Sequence, residues 1–192
     1  MKKSIENYIK DSIAAKQELL KSQVANIESA AKAIIESLKC GKKLLIFGNG
    51  GSAADSQHIA AELVGRFKME RKALPAIALT ANTSILTAVA NDYGYDVVFS
   101  RQIEALGVKG DIAFGISTSG NSKNVIEAFK KARSVGMKTI ALSGGDGGNM
   151  KGQADISIIV ATKDTPRVQE SHILIAHIIC ALVEDGMFGK KL

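Results

Sequence analysis

The hydrophobic positions near the start of the chain recur with the period of an α-helix. No Gly or Pro interrupts 3–38, and the apolar residues there follow one another at intervals of three, four and seven. These residues are Ile5, Ile9, Ile13, Leu20, Val24, Ile27, Ala31, Ile34 and Leu38. The pattern predicts one continuous helix over 3–38, about 54 Å long at 1.5 Å per residue. Because a small domain cannot cover such a helix, we expect part of it to serve oligomerisation.

After Gly41 the pattern changes to short aliphatic runs, each followed by a polar turn and a helical segment. This alternation is typical of a parallel sheet with helices between its strands. We predict strands at 43–47, 75–79, 111–116, 138–142 and 156–160. The fold class is therefore α/β. A single domain over 1–192 is expected, since that length buries a core without disulfides or metals.

The last helix is predicted from about 166 to 187, because Pro166 suits a first turn and Gly189 suits an end. Its segment 173–183 is apolar on every face apart from His177. A helix of that kind is usually buried on all sides, and an oligomer core is the simplest way to bury it here. The segment is shorter than the roughly 20 residues that cross a bilayer, so no membrane partner is expected.

Charge and composition disfavour several classes of protein. The net charge of +6 is spread over short pairs such as Lys42–Lys43, Lys130–Lys131 and Lys190–Lys191. The single basic cluster, Arg66, Lys68, Arg71 and Lys72, lacks the row of stacking aromatics that single-strand binders use. Nucleic-acid binding is therefore not expected, whereas a positive field would help a phosphorylated metabolite reach its site.

The termini and the cysteines indicate the compartment. The first residues contain no apolar segment typical of an export signal, so a cytoplasmic protein is expected. Cys40 and Cys180 form no C-x-x-C pair, which argues against a disulfide framework and a thiolate zinc site. We expect both thiols to be buried.

The segment 115–122, Gly-Ile-Ser-Thr-Ser-Gly-Asn-Ser, links a buried strand to a helix that begins near Lys123. Free N–H groups and the positive end of the helix dipole face such a loop. Four hydroxyl groups add donors, those of Ser117, Thr118, Ser119 and Ser122. An ordinary N-cap needs one hydroxyl. The pattern therefore predicts a phosphate-binding loop.

A second loop, Gly-Asn-Gly-Gly-Ser at 48–52, also joins a strand to a helix and superficially resembles a dinucleotide fingerprint. A dinucleotide site needs an acidic residue at the end of the second strand, whereas 79–82 reads Leu-Thr-Ala-Asn. NAD binding is disfavoured. Two loops that are suited to bind an anion, each at the end of a strand, instead predict one crevice for a small ligand.

The helix predicted over 53–66 carries His58 and Glu62 four residues apart, on one face. The two side chains could share a metal ion or a substrate proton. Glu62 and Arg66 are also four apart, and the spacing by itself slightly favours a simple ion pair between them.

The last helix carries three further polar side chains. Spacing pairs Gln169 with His172, whereas Gln169 and His177 are about 12 Å apart along the axis. An ion shared by Gln169 and His177 would require both to lean inward or to come from different chains. A histidine inside an apolar stretch, such as His177, is more often a hydrogen-bonded core residue.

Taken together, five segments resemble the phosphoheptose isomerases, a family within the sugar isomerase (SIS) domain superfamily. They are 48–52, His58 to Glu62, Ala-Asn-Asp-Tyr-Gly at 90–94, 115–122, and Arg-Val-Gln-Glu at 167–170. The resemblance covers nearly the whole chain. The serine-rich loop alone marks only the superfamily, while its combination with the His/Glu pair and the Gln/His helix is far more specific.

The resemblance implies a doubly wound, five-stranded parallel sheet of the flavodoxin-like kind and a homotetramer with active sites between subunits. It implies that the phosphate is held by Ser117, Thr118, Ser119 and Ser122. It implies that the sugar is contacted by Asn49, Gly50, Gly51, Ser52, Glu62, Asn91, Asp92 and Gln169. The acid/base pair would be Glu62 and His177. One zinc ion per subunit would be bound at His58, Glu62, Gln169 and His177, a set that leaves out His172.

The implied reaction is isomerisation of sedoheptulose 7-phosphate to D-glycero-D-manno-heptose 7-phosphate, the entry to heptose units of bacterial surface polysaccharide. Glu62 would move a proton between the first two carbons through an enediol, and His177 would protonate or polarise the oxygen. One alternative is a non-enzymatic adaptor of the same fold that binds a replication initiator protein. Another is an isomerase or lyase of a different sugar phosphate. The presence of the whole acid/base and metal set favours the enzyme.

Overall fold

The computed structural model describes residues 1–189, in which helices alternate with the strands of one sheet. The strands are β1 Leu44–Gly48, β2 Ala76–Ala78, β3 Ile112–Ser117, β4 Lys138–Gly144 and β5 Ile156–Val160. The helices are α1 Lys2–Ser22, α2 Val24–Lys39, α3 Gly51–Val64, α4 Thr83–Tyr93, α5 Val98–Leu106, α6 Lys123–Ser134 and α7 Thr165–Phe188. The basic pair Lys190–Lys191, at the end of the predicted domain, lies outside the described residues.

The five strands form one parallel sheet in the order β2-β1-β3-β4-β5. All residues of β1 and β3 are buried, which is why their sequences are continuous apolar runs rather than alternating ones. This order is the flavodoxin-like one, and the prediction of a doubly wound sheet is confirmed. The order reverses between β1 and β3, so the loops that follow these two strands border a crevice.

Two hydrophobic clusters cover the two faces of the sheet. On one face Ile46, Phe114 and Ile116 pack in a cluster to which α2, α3 and α7 contribute. On the other face Leu45 and Phe47 belong to a cluster formed with α5 and α6. The helices that carry the candidate site, α3 and α7, therefore lie on the same side of the sheet.

The prediction of one continuous helix over 3–38 is wrong at Gln23, where the backbone leaves the helical region (φ −120°, ψ −3°). The cause is a tertiary contact, because the Gln23 side-chain oxygen accepts a hydrogen bond from the backbone N–H of Ile159 at the edge of the sheet (3.1 Å). Helix α2 then packs into the core. Helix α1 leaves Ile5, Ile9 and Ile13 at least half exposed in the single chain.

Helix α7 is long and apolar enough, by length and composition, to cross a membrane. In this fold it is a core helix, since Val168, Ile175 and Val183 are buried in the cluster shared with α2 and the sheet. Within one chain α7 is not buried on every face as expected, because Ile178 and Leu182 are more than one third exposed.

The two thiols differ from each other. Burial raises the pKa of Cys180 to about 12, so this thiol is an inert core group. Cys40 is exposed, contrary to prediction, because it caps the carboxyl end of α2, where the chain turns at the surface.

Candidate functional site

The loop after β1 forms one wall of the crevice. Gly50 has a φ of +54°, a conformation that glycine adopts without strain, and α3 begins at the next residue. Asn49 and Asn124 exchange two amide hydrogen bonds, each 2.9 Å long, and Tyr95 Oη donates to Asn49 Oδ1 at 3.1 Å. The loop is thereby tied to the first turn of α6. Ser52 is buried beneath it.

The serine-rich loop after β3 forms the other wall. The Ser117 and Ser122 hydroxyl oxygens are 2.9 Å apart, and Ser119 Oγ is 3.4 Å from Ser117 Oγ. Ser122 is the N-cap residue of α6, but its side chain caps no backbone N–H, and the first turn of α6 contains no acidic residue. The hydroxyls and the amino end of α6 are therefore directed to the same place, as an anion requires.

A cavity of about 350 Å³ opens beside this loop. It is lined by Thr118, Ser119, Asn121, Gly144, Gly145, Asp146, Lys163 and Thr165. Lys163 was not predicted from the sequence. Its position between β5 and α7, two residues before the helix begins, could have indicated it. The first turn of α7 lacks an acidic residue, but its N-cap residue is Asp164 and Pro166 has no N–H, so Thr165 is the α7 residue that lines this cavity.

A cluster of three donor atoms lies between α3 and α7. His58 Nε2 is 2.9 Å from Glu62 Oε1 and 3.5 Å from His177 Nε2. The ligand atoms of all three residues lie within 4.8 Å of one another. The Phe67 ring packs 5.4 Å from the His177 ring. The simple Glu62–Arg66 ion pair that spacing favoured does not form, because Arg66 Nε lies 3.7 Å from Glu70 instead.

The cluster exists because α3 and α7 run side by side in the same direction. His58 meets His177, with ring centroids 5.1 Å apart, and the Glu62 carboxylate is near enough to Cys180 to help raise the pKa of that thiol, after burial. His58 and His177 are 119 residues apart in sequence, and Glu62 and Cys180 are 118 apart. Spacing within one helix cannot reveal such a pairing.

Gln169 lies beside the start of α3. A side chain at Gly51 would collide with the Gln169 amide nitrogen, so Gln169 occupies the space at the start of α3. His58 follows Gly51 by seven residues, about 10 Å along the helix. The structure therefore brings together His58, Glu62 and His177 and places Gln169 next to the crevice.

Three further candidates take separate positions. His172, the alternative partner of Gln169, is buried, and burial lowers its pKa to about 4, which makes it a neutral core residue. Asn91 and Asp92 lie exposed at the end of α4 and are hydrogen-bonded to each other (2.9 Å). Tyr95 was not singled out from the sequence, yet its hydroxyl connects this segment to Asn49.

The three clustered donors fit a zinc ion. Two imidazole nitrogens and one carboxylate oxygen form a donor set that zinc prefers, and three protein ligands leave a position open for a substrate. In a tetrahedral site with bonds of about 2.0–2.1 Å, neighbouring ligand atoms lie roughly 3.3 Å apart. Two of the three separations, 2.9 and 3.5 Å, lie on either side of that value, and the third is at most 4.8 Å.

Comparisons with known proteins agree over most or all of the chain. A family model described as the SIS domain matches residues 7–144. The phosphoheptose isomerase of Clostridium acetobutylicum is 55% identical over 193 residues, covering 100% of this chain and 98% of that protein. The solved phosphoheptose isomerase of Neisseria gonorrhoeae has a TM-score of 0.92 and 45% identity, covering 96% of this chain and 98% of that one. The structure from Francisella tularensis has a TM-score of 0.92 and 40% identity, with coverages of 95% and 97%.

Proposed function

The chain belongs to the phosphoheptose isomerases of the SIS domain family, and we propose that it converts sedoheptulose 7-phosphate into D-glycero-D-manno-heptose 7-phosphate. It is thus an aldose–ketose isomerase. One observation supports this assignment most strongly. His58, Glu62 and His177 lie together in a chain that also has a serine-rich loop suited to an anion. The adaptor alternative is not favoured, since an adaptor needs no complete acid/base set.

Glu62 and His177 are proposed to move the protons. The Glu62 carboxylate removes a proton from C1, and the electron pair forms the C1–C2 double bond of an enediol. His177 gives a proton to O2 and later takes the proton of O1. As the carbonyl forms at C1, the electron pair of the C1–C2 double bond takes up the proton from Glu62 at C2. No atom is gained or lost, and one base serves both carbons from one face.

A zinc ion is proposed at His58, Glu62 and His177, with Gln169 as a further ligand on the grounds of the family resemblance. When bound, a divalent ion polarises the carbonyl oxygen and stabilises negative charge on it. A carboxylate that binds a metal is a weaker base, so the two proposed roles of Glu62 compete. We propose one ion per subunit.

The phosphate is proposed to lie at the cavity beside the serine-rich loop, held by Ser117, Thr118, Ser119 and Ser122. Lys163 supplies a positive charge at this cavity, which Asp146 also lines. The sugar extends from there past Asn49, Gly50, Gly51, Ser52 and Gln169, with Asn91 and Asp92 at its edge. This arrangement places the reacting carbons at the far end of the substrate from the phosphate.

Replacement of Lys163 by methionine is expected to raise KM about 3–10-fold with kcat nearly unchanged, because an exposed charge assists binding without touching the reacting carbons. Initial rates with sedoheptulose 7-phosphate at low and high salt measure the effect, which should shrink as salt screens the wild-type lysine. Lys130→Met, which removes a surface cation from the exposed side of α6, is the matched control. An equal loss in both variants would contradict the role of Lys163.

The assembly is proposed to be a homotetramer with active sites between subunits. The half-exposed Ile5, Ile9 and Ile13 of α1 form an apolar face that the single chain does not cover. Exposed apolar residues also lie on the two helices that carry the cluster, Val64 on α3 and Ile178 on α7. A monomeric mass in light scattering would contradict this proposal. We propose that the whole chain acts as one cytoplasmic SIS domain without nucleic-acid or membrane partners.

The reaction is tested by separate incubation with sedoheptulose 7-phosphate, fructose 6-phosphate and arabinose 5-phosphate, followed by NMR of the products. We expect conversion of the heptose phosphate alone, loss of most activity after dialysis against a chelator, and recovery on adding zinc. Conversion of another sugar phosphate at a higher rate would assign a different substrate. Binding of an initiator protein without turnover of any sugar would restore the adaptor alternative.

A further inference from the structure

Asp55 lies on the stripe of α3 that carries the site. The stripe runs through Gly51, Asp55, His58 and Glu62, at intervals of four, three and four residues. Gly51 adjoins Gln169, and His58 adjoins His177. Asp55 therefore lies between the two parts of the site, in the groove where α3 packs on α7.

The Asp55 carboxylate has an oxygen without a partner. Its Oδ2 is buried and makes no hydrogen bond with any residue in 1–189. The offset of 118 between the helices places Asp55 at the level of Ile173, which has no side-chain donor. Burial raises the pKa of Asp55, and the charge of His58 acts in the opposite direction. Because an unpaired buried carboxylate oxygen is destabilising, its presence calls for a functional reason.

His58 has an unused ring nitrogen. Its Nε2 faces Glu62 and His177, while Nδ1 has no hydrogen-bond partner among the described residues. An imidazole that binds a metal normally donates its other N–H to a carboxylate, which selects the tautomer and orients the ring. Side chains on a helix lean toward its amino end, so the carboxylate three residues before His58 is the nearest acceptor along this stripe.

We propose that Asp55 is a positioning residue: when His58 binds the metal, the Asp55 carboxylate accepts the Nδ1–H of His58 and keeps His58 Nε2 directed into the cluster. The bond is not formed in the structure, where Asp55 Oδ2 has no partner among residues 1–189. Asp55 acts through His58 and does not touch the substrate. This inference rests on the proposed metal site and deepens it. It also accounts for a carboxylate whose Oδ2 has no donor among residues 1–189.

Asp55→Ala is expected to lower the affinity for Zn²⁺ about 10–100-fold, and Asp55→Asn by a smaller factor because the amide still offers an acceptor. Zinc affinity is measured by competition with a chromophoric chelator on the assembled protein, independently of turnover. The metal-free variants should unfold at the same temperature as the wild type or higher, because a half-buried carboxylate whose Oδ2 has no partner among residues 1–189 has been removed or neutralised. A purely structural role would lower the unfolding temperature instead.

Glu70→Gln is the matched control, since Glu70 is a largely exposed carboxylate whose loss changes the net charge equally. Zinc affinities of both Asp55 variants within twofold of this control would overturn the positioning role and leave the metal site standing. A wild-type protein that binds no zinc would overturn the metal site, and the role of Asp55 with it.

Discussion

Glu62→Gln is expected to lower kcat for sedoheptulose 7-phosphate about 10²–10⁴-fold, because the amide has the size of the carboxylate but cannot accept a proton from carbon. The Glu62 side chain contacts His58 at the surface of the groove, and the backbone oxygen of Glu62 still accepts its bond from Arg71 (2.7 Å). The variant should therefore fold and assemble normally. Steady-state kinetics, with circular dichroism and light scattering on the same sample, measure the result.

The pattern of the loss distinguishes catalysis from binding. We expect kcat to fall with a small change in KM, because the phosphate end of the substrate is held elsewhere. His177→Gln should show a similar pattern. Glu70→Gln should keep wild-type kcat, since the Glu70 side chain is 91% exposed and lies 3.7 Å from Arg66. Turnover by Glu62→Gln close to that of Glu70→Gln would show that another group is the base.

Glu184→Gln is expected to reduce the free energy of unfolding by about 3–5 kcal/mol, since it leaves the charge of Arg71 buried without its partner. The two side chains are 2% and 1% exposed and 2.9 Å apart. Glu184 also accepts the backbone N–H groups of Phe67, Lys68 and Met69 at 2.8–3.1 Å. Urea unfolding at neutral pH, with the loss read from the midpoint at unchanged slope, measures the effect.

The ion pair also supports the site. Arg71 donates to the backbone oxygens of Glu62 and Leu63, and the segment bonded to Glu184 carries Phe67, which packs on His177. Loss of the pair should therefore raise the unfolded fraction and loosen the cluster. Glu104→Gln is the control, because Glu104 pairs with Arg101 and Lys131 at the surface and should change stability by less than about 1 kcal/mol. Equal stability of the two variants would contradict the assigned role.

The contribution of Glu184 should depend on pH. Burial by itself would raise the pKa of Glu184, but the N–H groups of Lys68, Phe67 and Met69 and the Arg71 side chain lower it overall. A carboxyl group whose pKa is lower in the folded state contributes stability above its unfolded pKa. That contribution is lost as the pH falls through the folded-state pKa.

Much of the fold follows from local sequence patterns. The bounds of all five strands were predicted to within two residues, and those of β5 without any difference. The reason is that buried parallel strands are continuous apolar runs bounded by turn residues. The long helix was predicted over the right residues but without its break. Gln23 is compatible with a helix, and at the break its side-chain oxygen accepts from Ile159 in the sheet as well as from Asn26 on α2. No periodicity within 3–38 contains that information.

The candidate site divides in the same way. The sequence by itself determined which residues are chemically able to act, namely the hydroxyl-rich loop before α6 and the polar side chains that share one face of α3. Only the tertiary structure decided their partners: His58 joins His177 across 119 residues, while Gln169 lies at Gly51, and Lys163 enters the phosphate cavity. The physical reason is that helix periodicity sets the direction of a side chain relative to its own axis. The packing of α3 against α7 on one face of the sheet sets which side chains meet.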